Sequence, residues 1–342
     1  MKQLGQNTQD TEGEIQIQHA PGRSCPINYR YESAVFKSPP PSGLLNLEVL
    51  YVVGGLYGND LALDEVLRLF DKERGRKCIV FNGDFHWFDV RPEVFSRIQD
   101  LVLDHTALRG NVETELGKNN AKNDFGCGCA YPDWIDDETV QRSNRIFERI
   151  SNTPTCSQRL QLRSLPMWQV ATVGPSRVGL VHGDPQSLAG WGFAQENLKF
   201  FEHLENARFW FEEARIDIFA CTHTCLPVLQ QIQSSKSGKY SWILNNGSAG
   251  MPNFFGDKAG LLTRLALTPF EGSQKRCGVI EEEIFMDLIG IEFDFDESQR
   301  RFRKDWPEGS DAYKSYFARL TEGPRYNQNQ VVRFDLATNK TG

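Results

Sequence analysis

The chain reads as a layered α/β protein, and two observations carry that reading. Short apolar runs dense in Val, Ile, Leu and aromatic residues alternate with segments whose apolar residues recur at three- and four-residue spacing. Several of the apolar runs also stop at Gly or a small polar residue beside an Asp, Asn or His. In open α/β sheets the chemistry gathers in such loops, just past the strand ends.

The elements follow in order. Residues 1–45 are polar, then proline-rich at "KSPPPSG", and read as an extension with a hinge. Within them "CPINYRY" is too aromatic for a linker and is expected to dock on the body. The body spans residues 46–290. Strands are expected at "LEVLYVVGG", "KCIVFNGD", "RVGLVHGD", "IDIFACTH", "KYSWILNNGS" and "GLLTRLAL". Amphipathic helices are expected over 59–73, 91–105, 136–150 and 194–214. Residues 291–342 read as a charged C-terminal extension with one helix near "SDAYKSYFARL".

Composition sets limits on function. The 342 residues carry a net charge of −7, which argues against long nucleic acids as partners. No apolar run reaches the roughly 20 residues that span a bilayer, so no membrane partner is expected. The N-terminus "MKQLGQNTQDTEGE" lacks an apolar secretory core, and the eight cysteines are scattered; reduced thiols in the cytoplasm are the expectation. Nothing in the sequence fixes an oligomeric state.

The strand ends supply the candidate site. They are Gly55 to Asn59, "NGDFHWFD" from Asn82, "RGNVETE" from Arg109, "HGDP" from His182, "THTCLP" from Thr222, and "NNGSAG" from Asn245. Carboxylate, amide oxygen and imidazole at one sheet edge suit a hydrolytic divalent ion, most naturally manganese, iron or zinc.

This ordered set resembles the calcineurin-like metallophosphoesterases over most of residues 48–270. The family pattern runs D-x-H-G-N, G-D-x-x-D, G-N-H-E, a lone His, and G-H-x-H. Here Gly55-Leu56-Tyr57-Gly58-Asn59 keeps only the Gly and Asn of the first motif. Gly83-Asp84 keeps the second, with Trp87 in its second Asp slot. Gly110-Asn111-Val112-Glu113 keeps the third except for Val112 in place of His. His182 stands as the lone His, and Thr222-His223-Thr224-Cys225 as the fourth motif. The resemblance implies an α/β/β/α sandwich of two mixed sheets flanked by helices.

It also implies an asymmetric site. One ion of the family pair is held by a bridging Asp, an Asn and two His, matched here by Asp84, Asn111, His182 and His223. The other keeps only Asp84. The expected reaction is hydrolysis of a small phosphorylated substrate by water activated on one divalent ion per chain. The alternative is a noncatalytic member of the fold that binds a phosphorylated ligand or a protein.

Five more residues bear on the chemistry. His86, two residues after Asp84, is the candidate replacement for the acid lost at Val112; the alternative is a loop histidine packed beside Trp87 and Phe88. Arg109 either holds phosphate or forms a local pair, and Asp184 either tunes a ligand or shapes a turn. Tyr57 and Cys225 either rebuild a second ion site or fill its volume. The second is the simpler, because Gly55 contributes no ligand. "GCGCAYPDW", with Cys127 and Cys129, lacks zinc-knuckle spacing even with Cys25 added, and reads as a loop over the open side of the site. "NNGSAGMPN" either wraps its amides around an anion or forms a tight turn.

Overall fold

Strand β1 (Val49–Val53) shows how the layers arise. Val49, Tyr51 and Val53 belong to one buried cluster, and Leu50 and Val52 to another, as the two-residue period of a strand dictates. The chain is described here from a computed structural model, which covers residues 21–118 and 125–335. The N-terminal stretch weighed as a secretory signal lies outside those residues. After β1 come α1 (Asp60–Lys72), β2 (Lys77–Asn82), α2 (Pro92–Leu103), β3 (Thr106–Leu108), α3 (Asn111–Leu116), α4 (Asp137–Ile150) and α5 (Cys156–Ser164). Next are β4 (Trp168–Val173), β5 (Ser176–Val181), α6 (Phe201–Ala214), β6 (Ile218–Cys221), β7 (Val228–Gln233) and β8 (Tyr240–Asn245). The last are β9 (Gly260–Ala266), β10 (Lys275–Glu281), β11 (Ile284–Ile291), α7 (Phe295–Asp305), α8 (Asp311–Glu322) and β12 (Val332–Arg333).

The strands form two mixed six-stranded sheets, ordered β10-β11-β9-β1-β2-β3 and β12-β7-β8-β6-β5-β4. β1, β2 and β3 run parallel in the first, and β5, β6 and β8 in the second. Between the sheets lie Leu50, Val52 and Val80 from one side and Val178, Leu180 and Leu244 from the other. Helices α1, α2, α4, α7 and α8 cover the outer face of the first sheet, and α6 covers that of the second. The result is the expected α/β/β/α sandwich.

Both flanking segments pack into the body. Phe36 is fully buried, its ring 5.2 Å from that of Trp168 and 5.3 Å from that of Phe219. At the other end Phe302, Trp306, Ala312 and Leu320 share a buried cluster with α1 and α2, and β12 pairs with β7. The helix expected over 194–214 begins only at Phe201. Phe200 is extended, and the Asn197 amide donates back to the Trp191 carbonyl, which turns the chain away from a longer helix.

Candidate metal centre

Each residue of the centre follows a strand. β2 delivers Asp84, β3 delivers Asn111 at the first turn of α3, β5 delivers His182 and β6 delivers His223. The backbone there is shaped for close approach. Asp84 sits at φ 53°, a left-handed conformation uncommon outside glycine. The buried Glu113 carboxylate holds it, accepting from the backbone N–H groups of Asp84 (2.8 Å), Phe85 (3.0 Å), His86 (3.3 Å) and Gly110 (2.9 Å). A Cβ on Gly110 would lie 2.4 Å from Asp84 Oδ1, and one on Gly83 2.6 Å from His182 Nδ1, so both positions require glycine.

Four side chains then turn their lone pairs inward. His182 Nδ1 donates to the Asn82 carbonyl (2.8 Å), which leaves Nε2 as an acceptor. His223 Nε2 donates to the Cys129 carbonyl (3.1 Å), which leaves Nδ1. Asn111 Nδ2 donates to the Cys127 carbonyl (2.9 Å), which leaves Oδ1. Asp84 Oδ1 accepts from the Val112 N–H (3.3 Å), which leaves Oδ2. From His182 Nε2 it is 3.1 Å to Asn111 Oδ1, 3.2 Å to His223 Nδ1 and 3.4 Å to Asp84 Oδ2.

Acceptors this close, with no proton between them, need a cation. The set of one carboxylate, one amide oxygen and two imidazoles fits a divalent ion. Without an ion, a proton takes its place. Burial disfavours charge on His182, but the neighbouring Asp84 carboxylate outweighs it and holds His182 above the ordinary histidine value. Burial also opposes charge on Asp84, and His182 outweighs it, keeping that carboxyl below its usual range. Burial and then the charge of His182 push His223 down to about 3. Among the described residues, Asp84, His182 and His223 are the one group of three His, Cys, Asp or Glu side chains poised to hold an ion.

The neighbouring place, where the family resemblance would put a second ion, is filled. Tyr57 Oη lies 2.7 Å from Cys225 Sγ. Burial raises the pKa of both groups, which keeps phenol and thiol neutral in the ion-free chain.

The structure does not bring His86 or Arg109 to this cavity. The His86 ring is fully buried, stacked on Phe95 at 3.6 Å, with Nδ1 2.5 Å from Asp89 Oδ2. Arg109 donates Nη1 to the Arg163 carbonyl at the end of α5 (2.9 Å). Asp184 serves a turn, accepting from the N–H groups of Gln186, Ser187 and Gly192. The loop after β8 ties down the loop after β1: Asn246 Nδ2 and Ser248 Oγ donate to the Gly54 and Gly55 carbonyls.

The loop expected over the open side contributes through its backbone, which its cysteines did not signal. Cys127 and Cys129 act through their backbone carbonyls on Asn111 and His223, and their thiols are free. Tyr131 and Trp134 of the same loop line a cavity of about 330 Å³ that also includes Asp84, Asn111 and His223. Its far wall comes from α8 through Ser315, Tyr316 and Arg319. The aromatic and basic spacing of "SDAYKSYFARL" signals a helix but not what it faces.

No protein-family model matches the chain, and no curated protein matches it. Solved structures do. A metallophosphoesterase from Sphaerobacter thermophilus is 18% identical, with 82% of this chain and 100% of that one covered at a TM-score of 0.49. A hypothetical protein from Pyrococcus horikoshii is 15% identical, with 81% and 99% covered at a TM-score of 0.53. At such an identity the second likeness speaks for the fold alone. The chain has the metallophosphoesterase-like fold, a sandwich of two mixed sheets between helices, and carries a candidate metal site of Asp84, His182 and His223 beside Asn111.

Proposed function

We propose that this chain is a metal-dependent hydrolase of a small phosphoester, using one divalent ion (manganese, iron or zinc) held by Asp84, Asn111, His182 and His223. The observation that carries this reading is the convergence of four acceptor atoms whose own protons are committed outward, to Asn82, Cys127 and Cys129. A bound divalent ion supplies Lewis-acid polarisation of a phosphoryl oxygen and lowers the pKa of water towards 7. The residues of the chain fix its ligands: the three carbonyls set the imidazole tautomers and the amide orientation, and Glu113 holds the strained turn at Asp84. Tyr131, Trp134 and Trp191 line the cavity beside the ligands.

The buried Val112 lines the cavity where the family resemblance places a proton donor, and it can give no proton to a leaving group. General acid help is typically worth about 10²–10⁴ in rate. Slow turnover is therefore expected, best on esters whose leaving group departs without protonation. A cytoplasmic location is part of the same reading, supported by eight free cysteines; among the described residues no helix is long and apolar enough to cross a membrane.

The test is His182→Ala. Hydrolysis of bis-p-nitrophenyl phosphate should vanish while the chain stays folded, its melting temperature lowered by loss of the buried pair with Asp84. Loss of fold together with activity would point to a structural ion and a binding protein.

A further inference from the structure

The metal centre accounts for the closed end of the cavity but not for its walls. Tyr131, Trp134 and Trp191 line one side and Trp87 and Tyr316 another. The Trp191 ring lies 5.9 Å from that of Tyr131 and 6.2 Å from that of Trp134, perpendicular to the latter. This wall begins at the metal centre itself. The Trp191 ring is 5.5 Å from that of His223, and Trp191 Nε1 donates to the Cys129 carbonyl (3.1 Å), the same oxygen that accepts from His223. One carbonyl thus fixes a candidate ligand and the first aromatic ring together. At the outer end Trp134 is 55% exposed, a large apolar surface left open at the mouth.

Charge in the cavity is sparse. Apart from Asp84, the charged side chains lining it are Glu196 and Arg319. Arg319 Nη2 donates to the Cys225 carbonyl (2.6 Å), two residues beyond His223. Arg319 Nε, Trp87 Nε1 and Ser315 Oγ are buried without a hydrogen-bond partner among the described residues. Among the described residues, Arg319 is the single Lys or Arg side chain lining the cavity, and one guanidinium suits the oxygens of one phosphoryl group. A polyphosphate chain would bring several anionic charges to one Arg.

We propose that the cavity selects esters of a single phosphoryl group whose organic part carries a flat aromatic ring, with Trp134, Trp191 and Tyr131 holding the ring and Arg319 on the phosphoryl side. This selection rests on the phosphoester reading above and adds the organic group to it. Stacking of one planar ring on aromatic side chains is worth roughly five- to a hundredfold in affinity.

The test compares phenylphosphonate with methylphosphonate by calorimetry on the full chain loaded with manganese. Both carry the same phosphoryl oxygens on an unhydrolysable carbon–phosphorus bond, and they differ only in the ring. Phenylphosphonate should bind at least about tenfold more tightly. Trp134→Ala, at an exposed position that tolerates truncation, should remove most of that preference and leave methylphosphonate affinity in place. Phosphonate analogues of phosphotyrosine and of adenosine monophosphate then compete for the site. Displacement by the first places the ring on the ester oxygen, and displacement by the second places a sugar between; either supports the selection. Equal affinities of the two simple phosphonates, binding of neither, or a preference that survives Trp134→Ala would overturn it while leaving the metal-centred reading standing. Failure to take up manganese would overturn both.

Discussion

His182 joins protonation to metal uptake. Its folded pKa is raised above an unfolded value of about 6.5, so its contribution to the ion-free chain is full below that pH and lost as pH rises through the folded value. Asp84 behaves in the opposite sense. Its lowered pKa gives stability above about 3.9, lost as pH falls through the folded value. The pair therefore favours the ion-free fold most between about pH 4 and 6.5. Because an ion needs His182 unprotonated, manganese affinity should rise with pH until the folded pKa of His182 is passed, with about one proton released per ion below it. Calorimetry in buffers of differing ionisation enthalpy counts that proton, and none at any pH would contradict the assigned ligand set. Glu113→Gln should cost about 2–3 kcal/mol of stability in urea, because an amide N–H₂ is set against backbone donors that the carboxylate now accepts from. An unchanged urea midpoint would deny Glu113 its place in holding the turn. The four candidate ligands were legible in the sequence because each stands alone after a strand. The exclusion of His86 was not, since nothing local shows that Phe95 and Asp89 capture its ring.

At the scale of elements, β1, β2, β5, β6, β8 and β9 were legible because each is dense in aliphatic and aromatic residues beside a turn. The remaining strands break that pattern. β7 buries Gln230 and Gln231, β10 is a charged edge strand, and β11 carries the buried Asp287, which pairs with Lys275 at 2.7 Å. Such polar residues are tolerated in strands when partnered, and local composition cannot reveal the partner. The N-terminal segment offers a direct check on packing. Phe36→Ala should cost about 3–5 kcal/mol, read by urea denaturation, because its ring is fully enclosed by Trp168 and Phe219. A change below about 1 kcal/mol would mean that this segment is a loose extension and not part of the second sheet's cover.

For the whole molecule, the order of strand-end motifs carried the sandwich fold, since two sheets must meet at one edge for Asp84, Asn111, His182 and His223 to touch. The loop at 126–134 was legible as a cover from its cysteines, glycines and aromatics, but the order of motifs could not carry the opposite wall, which α8 supplies from far along the chain. The central claim is one ion where the fold's resemblance suggests two, with Tyr57 and Cys225 occupying the second place as a neutral pair. Metal content per chain, by plasma mass spectrometry on untagged protein purified without chelator, tests this most directly. The account expects close to one equivalent of manganese, iron or zinc. Close to two would show that Tyr57 and Cys225 bind an ion, and none, even after metal is offered back, would contradict the metal centre itself.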